Sequence, residues 1–469
     1  MIRLAPADIA VVFLFFGAVL FVGYRAIRRA RATQVDFLLA GRSLTLPVFI
    51  MTLVSSWYGG ILGVGEFSYR YGLSNWFVQG VPYYVFALIF ALALAKRIRA
   101  SNLYSIPDKL AESYDRKTAL LGAVLTFVLM TPAPYILMLA VFLQMLFGWS
   151  LPFSLAVTAV VAGSYLYAGG FRSDVHTDVL EFIVMFAGFA VIIPFCILRY
   201  GGFDFLTSHL PPLHLTWHGG NSLQYIIVWF FIALWTLIDP AFYQRCLAAK
   251  NGSVARNGIL LSIPFWFLFD AMTATAGLYA RAALPGLAQP MMSYPLLAEA
   301  VLPPVAKGMF FIGMIATILS SLNALAFVSA QTAGRDFWLR WKSPALLEVD
   351  SASTRATQIG LALSFLFSIL LAVTIPSVID IWYTIGTVII PGLLVPLMAG
   401  YFKPLRISSS FAFAAMLSGW ITSALWLGFR FTGPGGGSYP FGIEPMYPGL
   451  AISLIIWGVG NILFRKRKH

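Results

Sequence analysis

Apolar runs of about 20 residues, the length an α-helix needs to cross a ~30 Å hydrocarbon core, recur thirteen times along the chain. They lie at roughly 6 to 24, 43 to 69, 75 to 95, 118 to 147, 150 to 170, 174 to 198, 222 to 243, 257 to 280, 305 to 333, 356 to 375, 377 to 402, 407 to 430 and 448 to 464. The polar stretches between them are short: the longest, 199 to 221, 334 to 355 and 431 to 447, are loop-sized. The pattern predicts an all-α polytopic membrane protein in a single transmembrane domain, because helices that satisfy their own backbone amides can sit in lipid. The charged flank of the first run follows it rather than precedes it, so this run is expected to stay as a helix rather than be cleaved as a leader.

Two runs are interrupted. The second contains TLVSSWYGGILGVG (Thr52 to Gly65), with adjacent serines, two aromatics and a glycine pair. The seventh contains TLIDPAFY (Thr236 to Tyr243), where Pro240 lacks an amide hydrogen and clashes with the preceding turn. The breaks are five spans apart, and because five is odd the second set begins from the opposite face. This predicts a 5+5 inverted-repeat core, 43 to 198 and 222 to 402, with 1 to 42 and 407 to 469 peripheral. Paired interruptions of this kind mark ion and solute sites in secondary transporters, since unwound backbone frees carbonyls and amides. The alternative is a set of packing glycines and a proline kink.

Charge adds orientation. With the first terminus outside, 25 of the 31 basic residues fall in inner segments, including Arg245, Lys250 and Arg256 in one loop and Arg335, Arg340, Lys342 and Arg355 in another. Only Arg3, Arg70, Arg199, Arg281, Lys307 and Arg430 remain outside, and the C-terminal RKRKH is cytoplasmic. The net charge of +13 is thus accounted for beside an anionic inner leaflet, and no nucleic-acid partner is implied. Cys196 near an outer end and Cys246 in an inner loop fall on opposite sides, so no disulfide is expected. His209, His214 and His218 in an outer loop are weak as a metal motif. GPGGGSYPFG near Gly433 lacks the strand and lysine of a phosphate-binding loop.

The ninth run, GMIATILSSLNALAFVSAQTAGRD (Gly313 to Asp336), places Thr317, Ser320, Ser321 and Asn323 on one helical face. Such hydroxyls either meet a ligand or bond back to their own turn. Alongside it stand FLLAGRSL (Phe37 to Leu44), YRYG (Tyr69 to Gly72), GGFRSDVHTDVLEF (Gly169 to Phe182) and FYQRCLAAKNGSVAR (Phe242 to Arg256), with RDF (Arg335 to Phe337) after the serine pair. In this order, from about 35 to 405, the chain closely resembles the sodium:solute symporter family.

The resemblance implies a leucine-transporter-type fold and sodium as the coupling ion. The ion's ligands would be the backbone carbonyls of Leu53 and Ser56, the carbonyl of Thr317 and the hydroxyls of Ser320 and Ser321. Asp178 would lie between that site and the cytoplasm, and it and Asn323 are the candidates for the ion path or a second ion site. Two-sodium members carry hydroxyl residues where this chain has Asn323 and Ala324, so one sodium per cycle is expected. By position Gly59, Gly60, Ile61 and Trp235 face the solute, with Trp57, Tyr58 and Trp266 nearby and Asp270 as the acidic residue in the middle of the eighth run.

An aromatic group with one carboxylate suits an organic cation; the alternative is Asp270 packed against a polar neighbour. Family members carry sugars, amino acids, carboxylates, vitamins and amines, and the sequence does not choose among them. The expected function is sodium-coupled symport of a small organic solute into the cytoplasm, by a monomer embedded in the lipid of the plasma (inner) membrane. Proton coupling or solute sensing on the same fold is the alternative, and a channel a more distant one. A sensor would carry signalling domains after the last span, and a channel would not couple solute to ion. Catalysis is not expected, because the intramembrane ionisable groups form no metal cluster and no nucleophile and base pair.

Overall fold

The computed structural model describes residues 3–28, 33–375, 378–432 and 439–466. Among the described residues the ordered elements are helical, apart from an isolated bridge between Leu44 and Ala249. Eleven of the helices are long and apolar enough to cross a membrane, two fewer than the thirteen runs, and the difference arises in two places. Runs 150 to 170 and 174 to 198 join in one element, Leu151–Tyr200, of 50 residues. Straight, it would measure about 75 Å, more than twice a hydrocarbon core. Gly170 divides it, at φ 55° and ψ −145°. A Cβ there would also come within 2.5 Å of the Phe37 carbonyl oxygen, so both the backbone conformation and the close approach demand glycine.

The second run is not one helix. Leu46–Ser55 ends and Ile61–Tyr71 begins across SSWYGG, each half too short to span. The seventh run breaks into Leu223–Ile232, Trp235–Ile238 and Pro240–Ala248. Asp239 is extended there and caps the last piece, its Oδ1 accepting from the amides of Ala241 (2.8 Å) and Phe242 (3.4 Å). Pro240 sits at the first helical position, where no amide hydrogen is needed.

Ala306–Gln331 runs through the centre, buried along most of its length, and packs against Leu151–Tyr200, Pro6–Ile27 and Asp350–Thr374. Its start is held by Asp8 on the first helix, whose Oδ1 accepts from the amides of Val305 (2.8 Å) and Gly308 (2.9 Å). On the periphery Leu14, Leu92, Val160, Leu366 and Leu425 are exposed, as side chains facing lipid tails should be.

Three sequence expectations need correction. Arg245 and Cys246 are not in an inner loop: both lie in Pro240–Ala248 and are fully buried. The hydrophilic stretch 334 to 355 does not begin as a loop, since the span that starts at Ala306 continues to Lys342 with Arg335 and Asp336 buried. Arg245 is paired with Asp178, and Arg335 with both its neighbour Asp336 and the distant Asp108; a hydropathy reading sees neither long-range pair. The stretch 199 to 221 contains a short helix, Phe203–His209. Of GPGGGSYPFG, residues 433 to 438 lie outside the described residues, as does the end of RKRKH beyond Lys466.

Candidate functional site

In the first broken helix the amide ladder runs out with Ser56 (N–H to the Thr52 carbonyl, 3.4 Å) and Trp57 (to Val54, 3.3 Å) and resumes at Val64, which donates to Gly60 at 3.0 Å. The central helix fills the gap with hydroxyls. Ser321 Oγ donates to the Ser56 carbonyl at 2.7 Å and accepts from the Gly59 amide at 2.8 Å. Ser320 Oγ donates to Asp178 Oδ1 at 2.5 Å and lies 3.0 Å from Ser55 Oγ. The glycines are there for proximity: a Cβ on Gly59 would come within 2.3 Å of Ser321 Cβ, and one on Gly60 within 2.1 Å of the Trp382 ring.

Asp178 is therefore not spaced away toward one membrane face; it touches this hydroxyl set directly. Its Oδ2 accepts from the Thr52 hydroxyl and from Arg245 Nη2 (3.2 Å), while Arg245 Nε donates to the Thr52 carbonyl at 3.3 Å. Asp174 stands 3.7 Å from the same guanidinium. Thr317 spends its hydroxyl on the Met314 carbonyl at 2.7 Å, leaving only its own carbonyl for the expected ligand set. Asn323 turns its amide to Tyr165 Oη at 2.6 Å. Thr317, Ser320, Ser321 and Asn323 are all fully buried. Arg245 and Thr52 join the site without a local sequence signal, since an arginine at the end of an apolar run reads as a loop charge.

Beside the break lies a cavity of about 340 Å³. Of the solute candidates Trp57, Tyr58, Gly60, Trp235 and Asp270 line it, and so do Leu53 and Ser56 of the proposed ion ligands, whereas Gly59, Ile61 and Trp266 do not. Gly59 is turned to Ser321. Trp266 packs behind Trp57 (ring centroids 5.6 Å apart), and its carbonyl accepts from the Tyr58 hydroxyl at 2.8 Å. Tyr83, Tyr135, Trp382 and Asp239 complete walls that the sequence left unassigned. Asp270 both faces the cavity and packs against a polar neighbour, its Oδ2 accepting from the Tyr84 hydroxyl.

The remaining motifs tie the scaffold together. Arg172 pairs with Asp36, and Arg42 donates to the carbonyls of Leu247 (3.1 Å) and Leu103 (3.0 Å). Arg335 and Arg340 converge on Asp108, Arg335 at 3.0 Å. Burial pushes the Asp108 carboxyl up, but the two guanidiniums outweigh it and hold it below the usual carboxylate value. A depressed folded value means that this corner stabilises the protein fully above the unfolded carboxylate value of about 4, and ceases to do so as pH falls through the lower folded value. Asp108→Asn should therefore lower the Tm in detergent at pH 7, with the gap to the parent closing below about pH 4. A gap that stays constant across this range would show that the pair does not carry the effect.

The sequence profile of the sodium:solute symporter family matches residues 37–419. A sodium/pantothenate symporter of Haemophilus influenzae is 26% identical over 389 residues, covering 78% of each chain. That of Escherichia coli is 25% identical over 449 residues, covering 91% of this chain and 90% of its own. Among solved structures a Na+-coupled sialic acid symporter superposes with a TM-score of 0.78 at 14% identity, covering 98% of this chain and 97% of that one. That likeness carries the fold, an all-α leucine-transporter-type core of inverted repeats. From the FLLAGRSL turn through both broken helices and beyond the RDF motif, the chain belongs to the sodium:solute symporter family.

Proposed function

We propose that this sodium-coupled symporter holds its ion between the first broken helix and the central helix. The ligands are the carbonyls of Leu53, Ser56 and Thr317 and the hydroxyls of Ser320 and Ser321, with one sodium bound per cycle. The observation that carries this reading is Ser321, whose hydroxyl already bridges the Ser56 carbonyl and the Gly59 amide across the break. A hydroxyl can rotate its proton away and offer a lone pair to a cation, and neutral oxygens bind a monovalent ion without trapping it. Asp178, bonded to Ser320, supplies the nearby negative charge and governs release of the ion rather than choice of solute. The small organic solute occupies the adjoining cavity, and the repeats 43 to 198 and 222 to 402 move against each other to expose it to alternate sides. Proteoliposomes presented externally with a solute panel should accumulate the substrate only under an inward sodium gradient. Equal accumulation with potassium on both sides would overturn the reading.

The N-terminus lies outside and the C-terminus in the cytoplasm, in a plasma-membrane protein that works as a monomer. The basic asymmetry supports this orientation even without Arg245, Arg335 and Arg340, which are buried in pairs and do not act as loop charges. In a cysteine-free version, Thr207→Cys should react with an impermeant thiol reagent applied to intact cells, and Ser351→Cys should not. The reverse labelling would invert the topology.

A further inference from the structure

We infer that the transported solute is a small organic cation, an ammonium or quaternary ammonium compound, held by aromatic faces and two carboxylates in the cavity beside SSWYGG. This rests on the reading that the cavity is the solute site. Among the described residues that line it, three are acidic: Glu66, Asp239 and Asp270. The only basic one is Arg70, and it is committed to Glu66 at 2.9 Å, four residues away on the same helix. Arg245, the nearest other guanidinium along the Asp239 helix, is turned to Asp178 instead. Asp239 and Asp270 thus face the cavity, and among the described residues neither forms an ion pair with a cationic side chain.

Asp239 spends Oδ1 on two backbone amides, and Asp270 accepts from a neutral phenol, Tyr84, so the hydrogen bonds of both buried carboxyls come from neutral groups. A carboxylate solute would bring a third negative group among them with nothing to pair with it. A sugar would bring hydrogen bonds but no counter-charge for either carboxyl. A cation satisfies them.

The walls say the same. Trp57, Tyr83, Tyr135, Trp235 and Trp382 present several aromatic rings to about 340 Å³, a volume for a small molecule. Ring faces attract cations, most strongly those whose own hydration is weak, as in quaternary ammonium groups. Carboxylates alone would equally suit an inorganic cation, and rings alone a neutral apolar solute; the two together select an organic cation.

Four tryptophans, Trp57, Trp229, Trp235 and Trp382, line the cavity, so binding can be read by intrinsic fluorescence on the purified full chain. Choline and tetramethylammonium should shift the signal at concentrations at least about tenfold lower than 3,3-dimethyl-1-butanol, the neutral carbon isostere of choline. Pantothenate should not compete. Asp270→Asn, which keeps the size and a hydrogen-bond acceptor for Tyr84, should bring the ratio between choline and its neutral isostere toward one. Trp382→Phe should keep most of the preference and Trp382→Leu should lose it, which packing alone would not do. Parity of choline with the neutral isostere in the parent, an unchanged ratio in Asp270→Asn, or displacement by pantothenate would each overturn the inference. A sodium-induced signal measured without solute separates the two readings. If it persists while no cation binds, the solute assignment fails and the sodium site stands; if cations bind and sodium does nothing, the reverse holds.

Discussion

Replacing Arg245 with glutamine should abolish uptake and destabilise the carrier, and replacing Asp178 with asparagine in the same chain should restore much of the stability. Arg245 is fully buried, lies over the Phe171 ring at 5.5 Å, and joins three groups from different parts of the chain: Asp178, Asp174 and the Thr52 carbonyl. Removing one partner of a buried ion pair costs about 3–5 kcal/mol, because the other charge is left without compensation. Here the stranded carboxylate is bonded to Ser320 and to Thr52, so the damage is transmitted to the first broken helix and to the proposed sodium ligands together. The single variant should show a lowered Tm in detergent and uptake at background. The double variant should recover much of the Tm, because the closer carboxylate is gone and only Asp174, 3.7 Å from the guanidinium, loses its partner, yet it should bind sodium weakly. Asp178→Asn alone should slow turnover strongly while leaving the ranking of competing solutes unchanged. If Arg245→Gln transports with the parental sodium dependence, the pair is a bystander to the ion site.

What could be read in advance, and what could not, follows from the range of each signal. The two breaks were legible because SSWYGG and Asp239-Pro240 each violate a local rule of helices inside a run that is otherwise apolar. The serine pair was legible from spacing, which puts residues three and four apart on one face. Arg245 was not, because its partner Asp178 lies 67 residues earlier and an arginine at the end of an apolar run looks like a topogenic loop residue. The same blindness applied to Arg335 and Arg340, whose partner Asp108 sits on a short helix more than 200 residues away. Tyr83, Tyr135 and Trp382 were invisible for another reason: in a chain that is 16% aromatic, a single ring on a span carries no mark of facing a cavity. Asp174 and Glu181 could have been found. With Asp178 they fall at i, i+4 and i+7 on one face, and all three are fully buried, the carboxylate oxygens of the outer two without a hydrogen-bond partner.

Ser321→Ala should raise the sodium concentration for half-maximal uptake by about tenfold to a hundredfold, the equivalent of roughly 1.5–3 kcal/mol for one hydrogen bond or ligand contact to a charged group. The substitution removes one oxygen and adds no bulk, which matters because the opposing backbone is close enough that even a Cβ on Gly59 would collide with Ser321. It also removes the bridge to the Ser56 carbonyl and the Gly59 amide, so two explanations for lost sodium affinity compete: a missing ligand, or a break that has closed up. The solute distinguishes them. The cavity is lined by Ser56 and Gly60 on either side of the lost bridge, so a collapsed break would weaken solute binding even when sodium is saturating. A missing ligand would leave solute affinity at saturating sodium near the parental value and shift only the sodium dependence. Ser320→Ala provides the contrast, since that hydroxyl also holds Asp178 and its loss should slow turnover as well as weaken sodium. Sodium activation that is unchanged in Ser321→Ala would remove this residue from the ion site, and with it the register that places Leu53, Ser56 and Thr317 there.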